Sequence, residues 1–191
     1  MRFKNSLLLI FIICFLSLAC KKKDWREDPS FQNPELEVKL KESKTIILSH
    51  QKKKDTFSRG YQDRNDAVIS FLNELKFDQN KIISYITWEE QLLYIFPNTY
   101  GLGTALDHTP LNEYKMLLTE REKIAKESIY TMISNGFKVL KIEWETPRRM
   151  NQIIGHKPKI FISSSKGKFE ITQIKMIYEI DGKFIVGVLG P

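Results

Sequence analysis

Cysteine is scarce in this 191-residue chain, and its two copies are Cys14 and Cys20. Beyond Cys20 no disulfide can form, so whatever folds there must hold together by burying apolar surface. Histidine is nearly as sparse. His50, His108 and His156 stand far apart with no cysteine or histidine at zinc-type spacing, so no metal site and no cofactor is expected. A membrane span needs roughly 20 apolar residues. The apolar run here goes only from Leu7 to Ala19 before Cys20 and the lysines Lys21 to Lys23. Acidic residues are outnumbered, 23 against 30 Lys and Arg, for a formal net charge of +7. Apart from Lys21 to Lys23, Lys52 to Lys54 and Arg148-Arg149, these charges are scattered, which reads as a solvated basic surface.

What is present at the N-terminus is an address. Met1, Arg2, Phe3 and Lys4 precede the apolar run, the charge-then-apolar layout of a secretory signal. The run ends in Leu16-Ser17-Leu18-Ala19-Cys20, which resembles the lipobox of bacterial lipoproteins, in a relaxed form similar to those of spirochaetes. The resemblance implies cleavage before Cys20, a diacylglyceryl group on its thiol and acyl chains such as palmitate. It also implies a location in the bacterial cell envelope. Lys21 stands where an Asp would signal retention at the inner membrane, so the outer membrane is preferred. Loss of Arg2 and Lys4 with the signal would lower the formal charge from +7 to +5. The expected partners are the membrane, through the acyl chains on Cys20, and a small ligand, envelope component or protein; nucleic acid is not expected outside the cytoplasm.

Three regions follow: a signal peptide at 1–19, a lipidated Cys20 with a largely flexible tether over 20–60, and a globular domain over 61–191. Within the tether, Leu36, Val38 and Leu40 alternate like a strand while Asn33-Pro34 suits a helix start, and both readings stay open. Asp63 caps a helix carrying Val68, Phe71, Leu72 and Leu75 on one face. A short second helix is expected over Ile82, Ile83 and Ile86. A third, opened by the capping box Thr87 to Glu90 and carrying Leu92, Leu93 and Phe96, is expected to stop at Pro97. Thr109-Pro110 opens a long helix through Tyr114, Leu117, Leu118, Ile124, Ile129 and Met132, closed by Asn135-Gly136.

The rest reads as extended. Leu140, Ile142 and Trp144 alternate with charged residues, Lys159 to Ser163 is a second strand, and Asp181-Gly182 turns a final hairpin into Phe184 to Leu189. Phe169 and Ile171 keep one phase and Ile174 to Ile180 the other, predicting a bulge near Thr172-Gln173. Helices first and an antiparallel meander after give an α+β domain, with helices packed on one face of a curved antiparallel sheet. This order is loosely similar to the cone-shaped domains resembling nuclear transport factor 2. On that resemblance the segments around Phe71 to Leu75 and Lys81 to Ile86 are the first two helices and 168–189 the closing hairpin. Such domains include ligand binders, enzymes and proteins that only associate.

Chemistry-bearing clusters are few. Gly101-Leu102-Gly103-Thr104 has the glycines of a phosphate cradle but no strand-to-helix context and no following Lys-Ser or Lys-Thr, so it reads as a connection. Asp107-His108 is the one carboxylate adjoining an imidazole. With Glu143 it could form the acid–base set of a small hydrolase or isomerase, the alternative to a non-enzymatic binding or envelope-interaction domain. Ser163 to Ser165 reads as a polar turn without a paired base. Tyr94, Phe96, Tyr100, Trp144 and Tyr178 either line a concavity or fill an ordinary core, and core is the favoured reading.

Overall fold

The structure is a computed structural model that describes residues 33–51, 56–79 and 81–191. Val38–Pro191 forms one compact unit. The signal segment, Cys20 and residues up to 32 lie outside the described residues.

Local signals start the helices. In α1 (Pro34–His50) the Asn33 side chain accepts from the Leu36 N–H, which resolves the open reading of this stretch as helix. The tether expected over 20–60 therefore does not run to 60. Ser43 and Ile47 of α1 and, further on, Phe57 are buried in the folded body. In α2 (Arg64–Phe77) Asp63 accepts from the Asn65 and Asp66 N–H groups, and Ala67, Val68, Phe71, Leu72 and Leu75 form its buried face. The short helix expected at Ile82 to Ile86 is absent. Instead Tyr85 makes a single parallel bridge to Val186, so long-range pairing overrides a helical pattern too short to sustain itself.

The Thr87–Glu90 capping box forms and opens α3 (Trp88–Glu90), which continues as a π-helical segment Gln91–Ile95 and then α4 (Phe96–Thr99). Pro97 does not stop the helix as expected. It has no N–H and its ring crowds the carbonyl four residues back, and the wider π turn, in which the Phe96 N–H reaches the Gln91 carbonyl, accommodates both. The long helix α5 (Leu111–Ile133) begins one residue later than expected, with Pro110 outside it and no cap from its own neighbourhood. Its first-turn cap comes from another helix: the Leu111 N–H donates to Ser43 Oγ of α1 at 2.9 Å. Leu111, Ala125, Ile129 and Ile133 face the core, whereas Leu117 and Ile124 are exposed.

Seven strands follow: β1 (Phe137–Trp144), β2 (Arg148–Met150), β3 (Ile153–His156), β4 (Pro158–Ser164), β5 (Gly167–Ile171), β6 (Ile174–Ile180) and β7 (Lys183–Leu189). The α+β class is as expected, but the single curved sheet resolves into two open antiparallel sheets, ordered β1-β4-β5 and β2-β3-β6-β7. At Thr172-Gln173, where a bulge was expected, the chain leaves the first sheet and enters the second. The register shifts lie instead between Ile174 and Ile177, and between Val139 and Lys141. The second shift turns Leu140 outward and breaks the simple alternation read for β1.

Alternation along β6 and β7 divides the core. Ile177 and Val186 pack with α2, α5 and the three-stranded sheet. Tyr178, Ile180 and Ile185, on the opposite face, pack with Ile47, Phe57, Ile95, Phe96, Leu111 and Ile153. The four-stranded sheet is therefore covered on both faces. Its fit is close at Gly187, where an added Cβ would stand 2.0 Å from the Tyr178 ring, so only glycine lets that ring lie across β7.

Candidate binding groove

Two hairpin turns set up a concave site. The β2–β3 turn holds Asn151 at φ 52° and the β6–β7 turn holds Asp181 at φ 49°, followed by Gly182 at φ 72°. Residues with short polar side chains tolerate this left-handed backbone best, so turn geometry selects Asn and Asp and places polar groups at the same end of the sheet. With the C-terminal end of α1, the π segment and α4, these turns enclose a groove of about 700 Å³.

The apolar part of the lining is Leu93, Pro97, Ile153 and Ile180, with the Tyr94 ring beside them. The polar part is dominated by side-chain amides and is held in place by its own hydrogen bonds. Asn98 donates from Nδ2 to the Tyr94 carbonyl at 2.8 Å and accepts the Gln152 N–H on Oδ1 at 3.1 Å. Asn151 donates from Nδ2 to the Asn98 carbonyl at 3.1 Å. The Phe57 N–H donates to Asp181 Oδ2 at 2.9 Å and fixes the buried Phe57 ring edge-on to Tyr94, centroids 5.2 Å apart. His50, at the end of α1, also lines the groove, and its buried Nδ1 has no hydrogen-bond partner among the described residues.

A second polar cluster lies where the two sheets meet. His156 at the end of β3 is buried; its Nε2 is 2.9 Å from Glu179 Oε2 and its Nδ1 is 3.3 Å from Arg64 Nη1. A guanidinium can only donate, so in this contact Nδ1 is placed to accept and Nε2 to donate to Glu179. The Arg64 guanidinium lies 4.5 Å over the Trp144 ring, and Trp144 Nε1 donates to Asn65 Oδ1 at 3.0 Å. Both ring nitrogens of His156 are thus engaged, and the cluster ties the start of α2 to β1, β3 and β6. None of these residues lines the groove. The sequence singled out Trp144 and His156 separately but not the cluster, because its members come together only in the fold.

Glu90, in α3, carries both a cap and an ion pair. Burial pushes its pKa up, but the Arg59 guanidinium and the Thr87 backbone N–H hold the ionised form more strongly, and the net shift is downward. Burial also pushes the Tyr178 hydroxyl above its usual range, and the Tyr85 hydroxyl too, with Glu122 adding to the effect.

The residues singled out from sequence sit as follows. The glycine loop does cradle an anion, but an internal one: Gly101 N–H donates to Asp107 Oδ1 at 2.7 Å, while Gly103 and Thr104 N–H groups donate to Oδ2 at 2.7 and 2.9 Å. Asp107 is thereby spent on its own loop, and His108 is exposed and not bonded to it. Glu143 sits on β1, where hydrogen bonding to Lys141 lowers its pKa, and is not joined to Asp107 or His108. Of the five aromatic residues, Phe96 and Tyr178 are buried in the second core cluster and Tyr94 and Tyr100 pack against it; Tyr94 also borders the groove, and Trp144 belongs to the Arg64 cluster. Ser163 and Ser164 end β4 and Ser165 lies in the turn to β5. Cys20 lies outside the described residues. Among the described residues no group of His, Cys, Asp and Glu could hold a metal ion, and no helix is long and apolar enough to cross a membrane.

Comparison with protein-family models, with curated proteins and with solved structures finds no match to this chain.

Proposed function

We propose that the chain is a bacterial lipoprotein, anchored through acyl chains on Cys20, whose exported α+β domain is a non-enzymatic binding module that takes its ligand in the groove between the two hairpin turns. The observation that carries the anchoring is the sequence Leu16-Ser17-Leu18-Ala19-Cys20, closing an apolar run and followed by Lys21 to Lys23. Each buried methylene of an acyl chain contributes about 0.8 kcal/mol, so two chains, or one with a basic patch, hold a protein on a bilayer. Anchoring at the outer membrane is the preferred location, with Lys21 after the cysteine as its support.

The binding reading is supported by the groove's size and by its preorganised amides. A pocket of several hundred Å³ with apolar lining and a few fixed polar groups is the common form of a small-ligand site. The hydrolase or isomerase alternative requires Asp107, His108 and Glu143 to act on one atom, whereas the Asp107 oxygens already accept three backbone N–H groups.

Metabolic labelling with an alkyne-bearing fatty acid tests the anchor. Wild type is expected to incorporate label and sediment with membranes, and Cys20→Ala is expected to do neither. Equal labelling of the two chains would refute the assignment of the anchor to Cys20.

A further inference from the structure

From the chemistry of the groove we infer that its ligand is a neutral saccharide, a mono- or short oligosaccharide of the envelope or its surroundings. The inference rests on the groove being the binding site and adds the class of ligand.

The groups left over after the hydrogen bonds among the described residues are counted define what can be recognised. Asn151 spends Nδ2 on the Asn98 carbonyl and keeps Oδ1. Gln152 spends only its backbone N–H, on Asn98, and keeps its whole carboxamide. Gln51 likewise spends its backbone N–H on the Leu48 carbonyl. Asp181 spends Oδ2 on Phe57 and keeps Oδ1. The remaining set therefore mixes carboxamide donors with amide and carboxylate acceptors on one short stretch of surface. A ligand that offers only acceptors, such as a phosphate, leaves half of this set unmatched. A hydroxyl both donates and accepts, and a pair of neighbouring hydroxyls can meet the C=O and NH₂ of one carboxamide together.

Charge points the same way. The described lining carries the Asp181 carboxylate, beside the imidazole of His50 and the phenol of Tyr94. A carboxylate in the lining repels an anionic ligand and accepts well from a hydroxyl. Of the apolar lining, Leu93 and Tyr94 keep some exposure while Pro97, Ile153 and Ile180 are buried beneath them, and this patch suits the C–H face of a pyranose ring, which an inorganic phosphate lacks. The Asn98 and Asn151 side chains are held before the ligand arrives, so little of their side-chain entropy is lost on binding.

The test uses the full chain in detergent micelles and saturation-transfer NMR with maltotriose, cellotriose and chitotriose, beside an acidic heparin tetrasaccharide and a soluble peptide mixture. At least one neutral trisaccharide is expected to bind saturably, with transfer strongest at its ring C–H protons. Gln152→Ala, which keeps the backbone bond to Asn98, and Asn151→Gly, which keeps the left-handed turn, are expected to weaken that binding together by at least about tenfold. Thermal unfolding of both variants establishes that they fold. If no neutral trisaccharide binds, while the tetrasaccharide or peptides bind and lose affinity in the two variants, the ligand class is wrong and the groove stands. If no probe's binding responds to either variant, the groove itself is not the site and both readings fall.

Discussion

Ser43→Ala removes a single oxygen that joins two helices far apart in sequence. Ser43 Oγ donates to the Lys39 carbonyl at 2.7 Å within α1 and accepts the Leu111 N–H of α5 at 2.9 Å, across 68 residues. Leu111 is buried, and Pro110 before it offers no side-chain cap, so the amide has no substitute acceptor in its own turn. Leaving a buried donor unsatisfied costs about 1–3 kcal/mol, and loss of an N-cap oxygen costs about 0.5–2 kcal/mol. We expect about 1–2 kcal/mol, where these ranges overlap. Since urea slopes for small domains are about 1–3 kcal/mol per molar, the unfolding midpoint should fall by about 1 M. Urea denaturation followed by circular dichroism measures it. Thr45→Ala is the matched control, because Thr45 makes the same hydroxyl-to-carbonyl bond four residues back but is exposed and caps nothing. If the two variants unfold at the same urea concentration, α1 is not docked on α5 as described, and its inclusion in the folded body is wrong.

Two further outcomes follow from the polar groups. Glu90 has a folded pKa below its ordinary 4.5, so its ion pair stabilises the protein fully at pH values well above 4.5, and that contribution is lost as pH falls through 4.5 to the depressed folded value. The stability gap between wild type and Glu90→Gln should therefore be widest near neutral pH and close on the acid side; a gap independent of pH would contradict the pairing with Arg59. Asp107→Ala leaves three loop N–H groups without their acceptor and should cost about 1–2 kcal/mol in thermal or urea unfolding, because water can replace part of what the exposed loop loses. No measurable loss would mean that the glycine loop does not depend on its internal carboxylate.

Signals confined to a few residues were legible in the sequence. The Asp63 cap, the Thr87–Glu90 box, the Asp181-Gly182 hairpin and the Gly136 helix stop are each specified by one turn of chain, and each is found in place. What could not be read is what depends on distant partners. Nothing near Leu111 in sequence announces that Ser43 will cap it, and nothing near Ile82 to Ile86 announces that β7 will take Tyr85 as a neighbour. His156 looked like an isolated histidine because Arg64 lies 92 residues away and Glu179 lies 23 away. The groove was hidden for the same reason. Asn151 and Asp181 were visible as turn residues, but only the pairing of β3 with β6 brings their two turns to one end of one sheet. The strand phases were read correctly over Met176, Tyr178 and Ile180 and misread at Ile174 and Leu140, where register shifts turn the side chain to the other face.

The most direct measurement of the account is the mass of the N-terminal proteolytic peptide from chain purified out of its own host's membranes. The expected peptide starts at Cys20 and carries a diacylglyceryl group on the sulfur. A peptide that still contains Leu16 to Ala19, or a Cys20 thiol that reacts freely with iodoacetamide, would contradict it.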